Sequence, residues 1–233
     1  LNFSIFALHF VLTATFVAAP LLLAKAGIES AKHWHFYLPI MLLAFMAMMP
    51  FMYMAERKRR VKGVMVGAIA ILVLSLAALA QGQDDRWLWG GAIFLFFTAF
   101  NLLEATLPSW LSKQAPAGSK GTAMGVYSTC QFLGASMGGF IGGYLLQYAD
   151  LSAVFWVSAG VCVLWVVIAL FMQTPEYLKS LCLAQKRPVS GPALMAEVSG
   201  VVECAWVPEQ ELLYLKVNDD FEREKLDCYL AEC

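Results

Sequence analysis

"VMVGAIAILVLSLAALA" occupies residues 64–80 and carries no charge. With its flanks it forms an apolar segment over 61–80, close to the ~20 residues a helix needs to cross the hydrocarbon core of a bilayer. That length excludes a core helix of a small soluble domain. Five further segments of the same kind surround it, at 3–24, 35–55, 87–111, 122–147 and 152–173. The pattern predicts a bundle of six transmembrane helices, an all-α membrane fold. Composition agrees: the chain is 60% hydrophobic and 14% charged, against about 45–50% and about 25% in soluble domains. The formal charge of −1 gives no reason to expect a nucleic-acid partner.

Loop charge sets the expected orientation, because cytoplasmic loops carry the excess of Lys and Arg. "ERKRRVK" (56–62) holds Arg57, Lys58, Arg59, Arg60 and Lys62, and "SKQAPAGSKG" (112–121) adds Lys113 and Lys120. The alternate loops hold Lys25, Lys32 and Arg86. The 56–62 and 112–121 loops are therefore expected in the cytoplasm, and an even number of spans puts both ends of the chain there too. No basic leader with a small-residue cleavage site opens the sequence, and the chain reads as a piece of a longer one.

After Gln173 the character changes. Residues 1–174 read as the membrane part, 175–199 as a linker and the start of a tail domain, and 200–233 as a small α+β cytoplasmic module. "YLKSLCLAQ" (177–185) suits a strand and "PALMAEVS" (192–199) a short helix. "GVVECAW" (200–206) and "LLYLKVN" (212–218) are strand-like around the turn "PEQE". "DDFEREKLDCYLAEC" (219–233) reads as an amphipathic helix, with Asp219 and Glu222 spaced as a capping box. Phe221, Leu226, Tyr229 and Leu230 form its expected buried face. The order strand–helix–strand–strand–helix lacks only the final strand of a ferredoxin-like domain.

Glu104, in "FNLLEATLPSW" (100–110), is the one ionisable residue between Leu88 and Leu111. A charge at the bilayer centre costs at least about 2.5–3.5 kcal/mol, so such a group is expected to face the bundle interior or a wet cavity. Thr98 and Asn101 precede it at three-residue steps and are expected to share its face. Pro108 removes a backbone donor one turn later. His9 in the first span falls at a matching depth from the same end, which allows an imidazole–carboxylate pair able to pass a proton. A packing histidine is the alternative. Gly134, Gly138 and Gly142 in the fifth span have the spacing that lets helix backbones approach in lipid, as do Gly121/Gly125 and Gly139/Gly143. Tyr127, Ser128 and Gln131 of that span either line a cavity or hydrogen-bond a neighbouring helix. The basic loop suits a topology signal and anionic-lipid contact; a gating latch is the other reading. The six cysteines make no CxxC pair and no zinc spacing, so neither a metal nor a cofactor is expected.

"PAGSKGTAMGVYSTCQFLGASMGGFIGG" (116–143) and "LPSWLSKQAPAGSKGTAMG" (107–125) resemble the tenth-to-eleventh helix connection and eleventh helix of the major facilitator superfamily. "YMAERKRRVKG" (53–63) resembles the weakened second copy of that superfamily's basic loop signature, with Glu56-Arg57 at the acidic–basic pair and the signature glycines largely absent. Together with the tail, these stretches resemble a drug-efflux-like branch that carries a small cytoplasmic domain. The resemblance implies that the six spans are the second half of a twelve-helix fold, helices seven to twelve, in a bacterial inner membrane. It implies proton-coupled export of a small amphipathic substrate by alternating access, with membrane lipid, protons, that substrate and the missing amino-terminal six-helix half as partners. Glu104 and His9 would couple protons. Thr98, Asn101, Tyr127, Ser128 and Gln131 would line the cavity, and Glu56, Arg57, Arg59 and Arg60 would form the gating loop. The first, second, fourth and fifth spans would face the cavity, the third and sixth lipid. The competing reading is a membrane sensor with a transporter fold that signals through its tail. No nucleophile elbow, zinc motif or phosphate-cradling loop supports an enzyme.

Overall fold

The computed structural model describes residues 1–82, 85–116, 119–173, 178–185 and 188–232. Six long helices come first: α1 (Asn2–Lys25), α2 (His33–Arg57), α3 (Val61–Gln81), α4 (Arg86–Gln114), α5 (Lys120–Tyr148) and α6 (Leu151–Phe171). A mixed tail follows: β1 (Lys179–Ala184), α7 (Gly191–Glu197), β2 (Val201–Val207), β3 (Leu212–Val217) and α8 (Arg223–Glu232). The chain divides into two compact units, residues 1–110 with 126–174, and residues 111–125 with 175–233.

Five of the long helices are long and apolar enough to cross a membrane; α5 is not among them. It is as long as α4, at 29 residues, but its glycines and its Tyr, Ser, Thr and Gln residues dilute its apolar character. Helices suit such sequences because each satisfies its own backbone groups where no water can. The same setting tolerates Pro20 in α1, Pro39 and Pro50 in α2 and Pro108 in α4. Asp85 accepts from the N–H groups of Trp87 (2.9 Å) and Leu88 (3.2 Å) at the start of α4. Asp150 caps α6 through the Ala153 N–H at 2.7 Å. Each serves an N–H that the first helical turn leaves unbonded.

The first unit's core forms where α6 packs on α3 and α1. Trp165 and Phe155 of α6, Ile5 and Leu8 of α1 and Ile69 and Leu72 of α3 are fully buried there. Two polar ties lock this core. The Trp165 indole donates to Ser4 Oγ at 2.9 Å, and Ser152 Oγ donates to the Ala80 carbonyl at 2.9 Å. By contrast, α2 leaves most of its apolar side chains exposed, including Leu38, Leu42, Leu43 and Met46.

In the second unit, β3 is the central strand of an antiparallel sheet ordered β1-β3-β2. Leu213, Leu215 and Val217 of β3 bury one face with Leu194 of α7, Val198 at its end, Val201 of β2 and Leu226 of α8. Tyr229 and Leu230 pack against this core as the helical pattern predicts, and Phe221 packs there from just before α8. Leu181, Leu183, Leu194 and Val198, from the 175–199 stretch read as a linker and the start of the tail domain, pack in the same core. The expected capping box is displaced. The helix begins at Arg223, since the Asp220 N–H bonds Asn218 Oδ1 in a turn at 3.0 Å, while Glu222 meets Ser199 Oγ at 3.4 Å and Lys225 Nζ at 2.9 Å. Gly200 supplies φ +85° and leaves room for the Phe221 backbone, which a Cβ there would strike at 2.5 Å.

Candidate functional site

The close approach of α1 and α5 positions the site. A Cβ on Gly134 would collide with the Phe6 carbonyl oxygen, and one on Gly138 with the Phe10 carbonyl oxygen and Thr13 Oγ1. At Gly142 the nearest α1 atom, Ala14 Cα, would lie 3.2 Å away. These glycines, four residues apart, let the backbones touch, so Thr13 Oγ1 can donate across to the Ala135 carbonyl at 2.8 Å. Gly139 and Gly143 belong to another face of α5, where a Cβ would meet nothing within 4 Å. The same holds at Gly121 and Gly125. The repeat is thus longer in sequence than the contact it makes.

His9 projects into this seam. Its Nδ1 lies 3.3 Å from the Ile5 carbonyl, and the Gln131 side-chain amide donates to its Nε2 at 2.8 Å. Both contacts suit a neutral ring with the proton on Nδ1. Nε2 is also 3.7 Å from Glu104 Oε2. Three helices, α1, α4 and α5, therefore contribute one polar group each to a single cluster. Glu104 Oε2 is buried without a hydrogen-bond partner among the described residues. So is the hydroxyl of Tyr127, which lies within electrostatic reach of Glu104. Phe100 closes the side of the histidine ring, edge-on at 6.0 Å. A carboxylate with an unfilled oxygen next to an imidazole can hold a proton on either partner or attract a cation.

Asn101 and Ser128 are half-buried on α4 and α5. Thr98 does not join the cluster. It lines a crevice between α2, α3 and α4, and its hydroxyl bonds back to the Phe94 carbonyl at 2.8 Å. Six residues at about 100° each turn Thr98 roughly 120° away from Glu104 around the helix, so the shared face expected from three-residue steps does not hold that far. At the basic end, Ser109 Oγ donates to Glu56 Oε1 at 3.0 Å and ties α4 to α2. The Arg57 guanidinium sits 5.9 Å above the Tyr53 ring. Arg59 takes φ +52°, and the Arg60 N–H donates to the Ala55 carbonyl at 3.1 Å, turning the chain into α3.

Sequence reading missed Thr13 and Ser109. Each is a small hydroxyl residue of the kind that bonds its own helix, and only the neighbouring helix reveals its second partner. Among the described residues no group of His, Cys, Asp and Glu could hold a metal.

Long helices, five of them long and apolar enough to cross a membrane, bring a carboxylate and an imidazole together in one cluster, which is compatible with a membrane transporter. The chain belongs to the Major Facilitator Superfamily, whose profile matches residues 1–206. It is similar to the inner membrane transport protein YajR of Escherichia coli (strain K12), with 40% identity over 222 residues that cover 94% of this chain and 49% of that protein. It is also similar to an uncharacterized transporter of Buchnera aphidicola subsp. Baizongia pistaciae (strain Bp), 31% identical over 180 residues that cover 73% of this chain and 44% of the relative. The chain thus spans about half the length of these curated relatives. It is an integral membrane protein of a transporter family, and its relatives are transporters rather than enzymes.

Proposed function

We propose that this chain is the carboxyl-terminal half of a proton-coupled exporter of small amphipathic molecules that works by alternating access in a bacterial inner membrane. The observation that carries the reading is Glu104, which meets His9 on a second helix at 3.7 Å and leaves one oxygen unbonded. With His9 neutral, Nε2 accepts from Gln131. A proton arriving on Nε2 turns that atom into a donor. Gln131 must then present its carbonyl oxygen or withdraw, and His9 gains an ion pair with Glu104. A proton on Glu104 removes the charge instead. Each event changes how strongly α1, α4 and α5 hold together, which is the differential interaction a ligand needs to shift a two-state equilibrium. The Glu56–Ser109 tie closes the basic end in this state and has to open in the other.

In this reading α5 is the sixth span. Its 29 residues reach about 43 Å as a helix, enough to cross, and its lower hydropathy suits a helix packed on α1 and the cavity. The tail is read as a ferredoxin-like domain without its last strand, supported by the strand order β1-β3-β2. The test uses the complete transporter in vesicles with an imposed pH gradient and a fluorescent amphipathic dye as cargo. Glu104→Gln is expected to uncouple dye movement from the gradient, lowering driven flux about 100-fold with expression intact. Normal driven flux in that variant removes Glu104 from the mechanism.

A second reading, in which the tail reports on the membrane part, draws on Lys216. This β3 residue is 4% exposed. It pairs with Glu203 of β2 at 3.1 Å, and its ammonium donates to the Ala115 carbonyl and, at 3.4 Å, to the Lys113 carbonyl. The last turn of α4 and the residue after it are thereby fastened to the sheet. Deleting residues 175–233 tests this: unchanged transport with a lost cellular response supports signalling, and unchanged behaviour in both refutes it.

A further inference from the structure

The crevice that Thr98 lines is not used by the proton cluster. Its cavity is about 310 Å³, walled by Phe51 and Met54 of α2, Gly67 and Ile71 of α3 and Leu102 of α4, with Arg60 among its lining residues. Thr98 adds no free donor, since its hydroxyl is spent on its own helix. A Cβ on Gly63 or Gly67 would meet nothing within 4 Å, so two glycines one turn apart leave an open channel along α3. At the Arg60 end the character reverses. Arg57, Lys58, Arg59, Arg60 and Lys62 crowd within six positions. Lys62 is committed to the Leu170 carbonyl at 2.8 Å, and Arg57 lies over Tyr53. Arg60 is exposed, and its guanidinium has no hydrogen-bond or ion-pair partner among the described residues. The start of α3 behind it has no side-chain cap.

An occupant must therefore be slender and apolar along its length and anionic at one end. We propose that this crevice binds one acyl chain of an anionic phospholipid, whose headgroup phosphate is held by Arg60. A guanidinium matches phosphate oxygens in a two-pronged, charge-assisted contact. A neutral lipid would fill the channel without using the charge, and a soluble phosphate would use the charge without filling the channel. The crevice shares no residue with the Glu104 cluster, so lipid retention can be read apart from proton coupling.

The test is lipid retention by the complete protein purified in mild detergent, counted by native mass spectrometry, together with thermal stabilisation by added phosphatidylglycerol, phosphatidylcholine or glycerol phosphate. Phosphatidylglycerol should stabilise the wild type, while phosphatidylcholine and glycerol phosphate do little. Arg60→Gln should weaken phosphatidylglycerol binding about fivefold, as expected for one basic residue at a membrane surface. Gly67→Leu puts a side chain into the channel from a position where a Cβ meets nothing within 4 Å, and should remove one retained lipid while the protein stays folded. Equal stabilisation by phosphatidylcholine, equal stabilisation by glycerol phosphate, or unchanged retention in Gly67→Leu overturns the proposal. So does a wild type that retains no phosphatidylglycerol because another helix of the complete protein fills the crevice.

Discussion

Glu104 and Lys216 are both charged residues set among apolar neighbours, one in the helical unit and one in the tail. Lys216 is saturated: its ammonium has three acceptors, the Glu203 carboxylate and the carbonyls of Lys113 and Ala115. Glu104 is not. Its Oε2 stands 3.7 Å from His9 and has no hydrogen bond among the described residues. A saturated charge has a single favourable arrangement and fastens what it touches. An under-satisfied one can be filled by a proton or a cation, so it can report or drive a change. The sheet can afford a fixed lysine because β2 carries an irregularity between Val201 and Glu203 that sets Glu203 opposite Lys216.

This contrast can be broken most directly at Lys216. Lys216→Met removes the ammonium shared by the Glu203 carboxylate and the carbonyls of Lys113 and Ala115, and should lower the tail's unfolding free energy by about 1–3 kcal/mol in denaturant titrations. Adding Glu203→Leu should recover only the part of that loss due to the ion pair, since the carbonyls of Lys113 and Ala115 still lack the ammonium. Glu104→Gln should do the opposite, shifting stability by less than about 1 kcal/mol while removing coupling. A large loss of stability in that variant would place Glu104 in the same structural class as Lys216. The seam beneath the cluster comes next. Gly138→Val should cost about 1–3 kcal/mol or more by driving a side chain into the α1 backbone, and Gly139→Val, on the open face, should cost under about 0.5 kcal/mol; equal costs would deny the α1–α5 contact its role. Gln131→Leu takes the partner from His9 Nε2 and should cost about 1–2 kcal/mol, read as a lower midpoint in thermal scans.

The smallest effect concerns thiols in the tail. Burial pushes the Cys204 thiol above its ordinary value, so less of it is thiolate at a given pH and the thiolate is what alkylates. Near pH 8 iodoacetamide should label the exposed Cys182 and Cys228 several-fold faster than Cys204. Raising the pH toward 10 should narrow the difference. Labelling of Cys204 at the rate of the exposed pair would mean that the tail core is looser than its packing implies.

The helices were legible because their signals are local. The uncharged run around Leu72, the Pro and charge cluster after Gln173 and the alternation in "LLYLKVN" each need only a few neighbouring residues to be read. The pairing of His9 with Glu104 was partly legible, since rise per residue converts sequence position into depth. Thr98 was misplaced for a related reason: a three-residue step keeps to one face only once before the helix turns away. Thr13, Ser109 and Lys216 were not legible as ties between elements, because their own neighbourhoods in sequence look ordinary. The contribution of 111–125 to the tail unit was hidden in the same way.

By itself the amino-acid sequence determined that this chain belongs in a bilayer, how many long helices it makes, where they start and stop, and that one acidic side chain had to be accommodated among them. Those outcomes follow from hydrophobicity and helical period, which act over one or two turns. Tertiary structure alone decided which glycines touch a neighbour, which oxygen of Glu104 stays unbonded and which lysine fastens the sheet to the end of α4. Such choices depend on the approach of residues about a hundred positions apart, as Thr13 meets Ala135 and Lys216 meets Ala115, and no local pattern encodes that meeting.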